Sequence, residues 1–162
     1  MILGVSTATF TLIHVIISLI GIAAGLVALG GMLINRRLPG WTTGFLATTA
    51  LTSVTGFFFH SKAIGPPRIV GVISLVVLAI AFWALYGGKL VGGWRPTYVI
   101  TATIALYLNV FVGVAQSFRK IPPLHVLAPA GTEPPFAIAQ GASLILLGGL
   151  GFLAVKRFRP VS

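Results

Sequence analysis

Residues 1–35 read MILGVSTATFTLIHVIISLIGIAAGLVALGGMLIN and contain no charged side chain. Four further uncharged stretches follow, each of at least 20 residues: residues 38–61, 69–88, 96–118 and 134–155. An α-helix needs about 20 apolar residues to cross the hydrocarbon core of a bilayer. The pattern therefore predicts an all-α protein, an integral membrane bundle of five transmembrane helices.

Composition supports a membrane protein without a soluble part. The chain is 57% apolar and 7% charged, with a mean hydropathy of +1.06, whereas a soluble domain has about 25% charged residues. Five spans leave only short loops in 162 residues, so we predict a single transmembrane domain over residues 1–162. The predicted helices cover about residues 8–34, 41–60, 69–86, 96–118 and 136–155. Residues 121–135 hold five of the ten prolines and are predicted to form an ordered or extended loop without a helix.

The eleven Lys and Arg residues lie between the predicted spans and set the expected orientation. One set of loops carries seven of them: Arg36, Arg37, Lys89, Arg95, Lys156, Arg157 and Arg159. The other set carries four: Lys62, Arg68, Arg119 and Lys120. Because Lys and Arg concentrate in cytoplasmic loops, we expect the C-terminus in the cytoplasm and the N-terminus outside.

The basic residues form no single face, which argues against nucleic acid as a partner. The expected partners are the lipid bilayer and either other membrane subunits or a second copy of the chain.

Five spans would also gather the chemically distinctive side chains at one end of the bundle. All three histidines, the only acid and both glutamines fall on that side: His14, His60, Gln116, His125, Glu133 and Gln140. Packing is one explanation, because small and polar residues at helical spacing let membrane helices approach and hydrogen-bond. On this basis we expect Ala105, Asn109 and Gly113 to face other helices. We expect the Gly21-xxx-Gly25 pair to pack inside the bundle rather than mediate dimerisation.

Three binding chemistries remain open for the same end. His14 and His60 on neighbouring helices could bind haem b axially, with Gly21, Gly25 and Gly56 making room for a flat macrocycle. A zinc or copper site is the second alternative, and its candidate ligands are His14, His60, His125 and Glu133. A lipid or quinone headgroup is the third. The candidate cofactor- or headgroup-binding residues are His14, His60, Gln116 and Gln140.

Several activities are excluded by residue types that the spans lack. The chain has no cysteine, which removes disulfides and thiolate chemistry. No predicted span contains Lys, Asp or Glu, so a retinal Schiff base and a carboxylate proton relay are disfavoured. There is no Asp for a Ser-His-Asp triad. The sequence therefore favours a non-enzymatic accessory, assembly or binding subunit, and the alternative is a haem- or metal-binding redox protein that uses His14 and His60.

Three stretches carry a resemblance to known proteins: HVIISLIGIAAGLVALGGML (14–33), LPGWTTGFLATTALTSVTGFFF (38–59) and LNVFVGVAQSFRKIPPLHVLAPAGTEPPFAIAQ (108–140). They resemble a family of small uncharacterised bacterial multi-pass inner-membrane proteins. The resemblance covers most of the chain and implies a helical protein of the bacterial inner membrane. It implies no activity and no catalytic residues. A fainter similarity to small haem-associated membrane proteins rests on His14 and the glycines that follow it.

Overall fold

The computed structural model describes residues 1–59 and 64–161. Helices make up 79% of it, and its described residues form no strand. The helices are α1 (Thr7–Leu33), α2 (Pro39–Gly56), α3 (Pro66–Phe82), α4 (Trp94–Lys120), α5 (Pro122–Leu127) and α6 (Pro134–Arg157). A π-helical turn, Trp83–Gly87, extends α3. The prediction of an all-α bundle is confirmed.

Four helical segments are long and apolar enough to cross a membrane: Thr7–Leu33, Pro66–Gly87, Trp94–Lys120 and Pro134–Arg157. The remaining long helix, α2, has only 18 residues, and six of them are threonines. A count of five membrane spans therefore requires that α2 also crosses the membrane. Most of its hydroxyls bond carbonyls of their own helix, as Thr48 does with Gly44 and Thr52 with Thr48. Such bonds reduce the cost of placing hydroxyls in an apolar medium.

Proline occurs in the first turn of four helices, and this explains why the prediction for residues 121–135 is wrong. α2, α3, α5 and α6 all begin with proline in their first turn, where the missing N–H has no helical partner to lose. The segment 121–135 was predicted to contain no helix, and this is wrong because α5 occupies Pro122–Leu127. Pro122 and Pro123 stand at the start of α5, which tolerates them, rather than in its interior.

The core forms where α1 approaches α2 and α4 closely. A Cβ on Gly25 would lie 2.7 Å from Leu106 Cδ1 and 2.8 Å from Phe45 Cδ2. Both of these side chains are only 1% exposed. The prediction that the Gly21-xxx-Gly25 pair packs within the bundle is confirmed, since Gly21 faces α2 and α4 as well.

The predicted buried face of α4 is confirmed at two of its three residues. Ala105 is fully buried and Asn109 is 6% exposed. Gly113 is half-buried, and a Cβ there would make an ordinary 3.5 Å contact with Ile22 Cδ1. The close approach of α1 to α4 is therefore made at Gly21 and Gly25 rather than at Gly113.

The end of the bundle that carries Arg36 and Arg37, here called the basic end, is closed by two sets of hydrogen bonds. The Arg95 guanidinium at the start of α4 donates to the carbonyls of Val155 (2.8 Å) and Phe158 (2.6 Å) at the end of α6. The Arg159 N–H donates to Asn35 Oδ1 just after α1. The end of α6 is thus joined to both α4 and α1.

Candidate binding site at the polar end of the bundle

The opposite end, here called the polar end, gathers the start of α1, the end of α2, the end of α4 and the start of α6. Phe10 of α1 packs edge-on against Phe58 and Phe59, which follow α2. Phe118 near the end of α4 packs against Phe136 near the start of α6, with ring centroids 5.6 Å apart. This antiparallel arrangement puts His14, Gln116 and Gln140 on one side of the bundle, together with the segment that carries His125 and Glu133.

His14 is held by a hydrogen bond that determines its tautomer. Its Nδ1 lies 2.8 Å from the Thr55 hydroxyl oxygen. That hydroxyl lies 2.7 Å from the carbonyl of Leu51, and two oxygens this close need the hydroxyl proton between them. Thr55 therefore accepts from His14, so the neutral imidazole carries its proton on Nδ1 and leaves a lone pair on Nε2. The Phe59 ring packs edge-on against the imidazole at 5.1 Å.

One turn deeper, a polar layer joins α1 to α4. The Ser18 hydroxyl donates to Asn109 Oδ1 at 2.8 Å, and the Asn109 amide approaches the Ser18 carbonyl at 3.4 Å. A Cβ on Gly21 would lie 3.1 to 3.2 Å from Asn109 Nδ2 and from the hydroxyls of Thr48 and Thr49. A Cβ at this position would require these groups to move by a few tenths of an ångström, so glycine favours the close approach of α1. The layer is therefore built around Gly21.

Gln140 makes a separate contact between α6 and α4. Its Nε2 donates to the carbonyl of Phe111 at 3.0 Å, and the residue is 8% exposed. Its Oε1 is buried and has no hydrogen-bond partner among the described residues. Gln116 is half-buried on α4. His14 is thus engaged by α2 and Gln140 by α4, and no described hydrogen bond joins the two.

The Glu133 carboxylate organises the turn before α6. The N–H groups of Ala130 and Thr132 donate to its two oxygens at 2.9 and 3.0 Å. The bond from Ala130 is the main reason that the pKa of Glu133 lies below its ordinary value, and Thr132 adds to the effect. These bonds favour the charged form. His125 is exposed on α5.

His60, on which the metal and haem hypotheses depend, lies outside the described residues. The pairing of His14 with His60 stays a prediction. Within residues 1–59 and 64–161, no three His, Cys, Asp or Glu side chains form a group that could hold a metal ion. The expectation that Gly21 and Gly25 leave room for a macrocycle is wrong, because side chains of α2 and α4 fill that space. At Gly56, a Cβ would contact only His14 Cε1, at 3.8 Å.

Sequence reasoning missed the partner of His14. No partner for His14 on α2 was predicted, and the contact is made by Thr55. The signal that was present is the density of hydroxyl residues in α2. It does not specify which hydroxyl faces α1, because that depends on how the two helices are rotated against each other.

Comparison with known proteins adds no functional information to the contacts of these side chains. The resemblance to a family of small bacterial membrane proteins stays a prediction. No protein-family model matches the chain, and no match was found among curated proteins or solved structures.

Proposed function

We propose that this protein is a non-enzymatic accessory, assembly or binding subunit of a bacterial inner membrane. The observation that carries the proposal is the use of its polar side chains. His14, Asn109 and Gln140 each form a hydrogen bond to a neighbouring helix, and the Glu133 carboxylate is bound by its own turn. Polar groups used in this way fix the arrangement of helices in a membrane. Such an arrangement presents defined surfaces to a partner.

Photo-crosslinking in native membranes tests the subunit proposal. A crosslinking amino acid at Ile145 of α6, Leu19 of α1 or Ile73 of α3 would sample three exposed faces, since these side chains are 77%, 59% and 46% exposed. We expect one position to give a discrete protein adduct in stoichiometric yield while another gives only lipid adducts. Lipid adducts alone from all three positions would contradict the proposal.

We further propose that α2 is a fifth span and that the basic end lies in the cytoplasm. α2 supports this by running antiparallel to α1 from the Phe45–Gly25 contact to the Thr55–His14 bond. The excess of Lys and Arg at the basic end supports the orientation. A reporter fused after Ser162 should be active in the cytoplasm and one fused before Met1 outside it. Two fusions active on the same side would refute five spans.

A haem- or metal-binding redox protein is the second candidate, and the hydrogen bond between His14 Nδ1 and Thr55 is the observation that favours it. A ligating imidazole usually donates its other N–H to a neighbouring oxygen, as His14 Nδ1 does to Thr55. Protein purified after haem supplementation should then show a Soret band that His14→Ala removes. His125→Ala is the matched control, since His125 is exposed on α5, and it should keep the band. A colourless, metal-free preparation would eliminate this candidate.

A further inference from the structure

A cavity of about 50 Å³ lies at the basic end, far from the polar end considered above. Its wall is formed by α1, the turn after it, α2, the π-helical turn, α4 and Phe158. The residues that matter for its chemistry are Arg36, Arg37, Thr42, Tyr86 and Tyr98. This volume is enough for more than one water-sized group.

One residue of the cavity wall, Tyr98, has a buried hydroxyl without a hydrogen-bond partner among the described residues. Tyr98 is 1% exposed, and its buried hydroxyl forms no hydrogen bond with any described residue. Thr42 and Arg37 also line the cavity. Burying a hydroxyl without a hydrogen bond is unfavourable, so a group that accepts from Tyr98 would stabilise the bundle.

The charge around the cavity identifies the kind of group that would bind. Arg36 and Arg37 stand at its exposed rim. No carboxylate side chain lines it, and the only acid of the chain, Glu133, lies at the polar end. Two guanidinium groups and a phenol hydroxyl are all donors, and arginine suits phosphate oxygens particularly well. The matching ligand is an anion with several acceptor oxygens.

The depth of the cavity identifies where such an anion is available. All three tryptophans of the chain, Trp41, Trp83 and Trp94, lie at the basic end and are 41% to 61% exposed. Tyr86, at the cavity wall, is 45% exposed. Exposed Trp and Tyr side chains concentrate at the level of lipid headgroups. A cavity at this depth faces the phosphate layer of the membrane.

The wall also contains an irregular turn that opens space on this side. Leu85 and Tyr86 belong to the π-helical turn Trp83–Gly87, and both line the cavity. A π-helical turn widens the helix by one residue and occurs frequently at functional sites. Here it ends α3 beside Thr42 and Tyr98.

We propose that this cavity binds the phosphate group of an anionic phosphate ester, with Tyr98 and Thr42 donating at its base and Arg36 and Arg37 at its rim. Its depth favours the headgroup of an anionic phospholipid as the source. The proposal is independent of the subunit function and of the polar end.

Ligand-dependent thermal unfolding of the purified full chain in detergent tests the site. The probes are dioctanoyl phosphatidylglycerol, dioctanoyl phosphatidylcholine and inorganic phosphate, and the apparent Kd follows from the rise in Tm with ligand concentration. We expect phosphatidylglycerol to stabilise the wild type. The zwitterionic lipid should bind more weakly, because Arg36 and Arg37 repel its ammonium group. Binding of phosphatidylglycerol tighter than inorganic phosphate would support the lipid source, and equal binding would support the site with free phosphate as the source.

Three variants separate this cavity from general attraction to a charged surface. Tyr98→Phe removes only the unpaired hydroxyl and should weaken the Kd about tenfold, as expected for a lost hydrogen bond to a charged group. The double variant Arg36→Gln/Arg37→Gln should abolish saturable binding. Arg157→Gln is the matched control, since it removes a charge from the same end but does not line the cavity.

The outcomes against the proposal are equally defined. It is overturned if no phosphate-bearing probe stabilises the wild type, or if Tyr98→Phe binds as tightly as the wild type. It is also overturned if Arg157→Gln weakens binding as much as the double variant. Folding does not obscure the result, because Arg36 and Arg37 are exposed and Tyr98→Phe deletes a group that has no hydrogen bond to lose.

Discussion

Replacing Gly25 by alanine tests the close contact on which the core depends. The added methyl would lie 2.7 Å from Leu106 Cδ1 and 2.8 Å from Phe45 Cδ2, whereas carbon atoms pack at about 3.5–4.0 Å. One or both side chains must therefore move by about 1 Å. Each is 1% exposed and surrounded by other core residues, so the movement disturbs further contacts.

The expected cost follows from how much the neighbourhood can absorb. Inserting a methyl into a packed core costs about 1–3 kcal/mol. A void of about 10 Å³ beside Gly25 gives Leu106 a little space, which places our expectation at about 1–2 kcal/mol. That range corresponds to a factor of about 5–30 in the unfolding equilibrium.

Gly30→Ala is the matched control on the same helix. A Cβ there would have no neighbour within 4 Å, so it gains the helix propensity of alanine without a clash. Because both variants gain this propensity, the difference between them isolates the clash. Unfolding by SDS in mixed micelles, followed by tryptophan fluorescence, gives both free energies. If Gly25→Ala is as stable as Gly30→Ala, α1 does not approach α2 and α4 as described.

Three further predictions concern individual bonds. Ser18→Ala removes the bond to Asn109 and should cost about 0.6 kcal/mol in the same unfolding assay, which is the average for interhelical bonds in membranes. Ser143→Ala loses only a bond to its own helix and should cost less. A larger cost for Ser143→Ala than for Ser18→Ala would contradict the polar layer. The pKa of Glu133 is lowered, so its stabilisation of the turn is present above the unfolded-state pKa of about 4.3 and is lost as the pH falls through the lower folded-state value. The protection of the Ala130 and Thr132 amides against hydrogen exchange, measured relative to the intrinsic rate at each pH, should fall over that acid range in the wild type but not in Glu133→Gln, and equal pH profiles would refute the role of the carboxylate. Arg95→Met removes both bonds to α6 and should expose residues 155–161 to limited proteolysis before any other part of the chain, whereas Arg119→Met at the polar end should not.

The helical architecture could be predicted because charge and hydropathy determine it directly. Uncharged stretches of 20 or more residues mark the apolar helices α1, α3, α4 and α6 wherever they occur. α2 is harder, since its six threonines lower its hydropathy, and the structure is needed to show that most of its hydroxyls bond carbonyls of their own helix. α5 was missed because the prolines of residues 121–135 were interpreted as helix breakers. At the first positions of a helix, Pro122 and Pro123 are compatible with it.

The two candidate sites differ in how visible they are in the sequence. His14 could be identified because a histidine in an apolar stretch is unusual. Its contact with Thr55 could not be predicted, because that contact depends on how α1 and α2 are rotated against each other. The basic-end cavity gave no such signal. Arg36 and Arg37 resemble ordinary cytoplasmic flanks, and Tyr98 resembles an interfacial aromatic residue. Only the packing of five segments around Tyr98 shows that its hydroxyl is buried and unpaired.

The hydrogen bonds from Arg95 give the order of synthesis a structural consequence. α6 leaves the ribosome after every other helix described here, and its last residues supply the carbonyls that Arg95 binds. Phe158, which lines the cavity and packs beside Tyr98, is synthesised together with these residues. A nascent chain that has inserted α1 to α4 therefore still lacks one wall of its cavity. Membrane insertion and the completion of that cavity are separate events, and the second cannot occur until residue 158 has been translated.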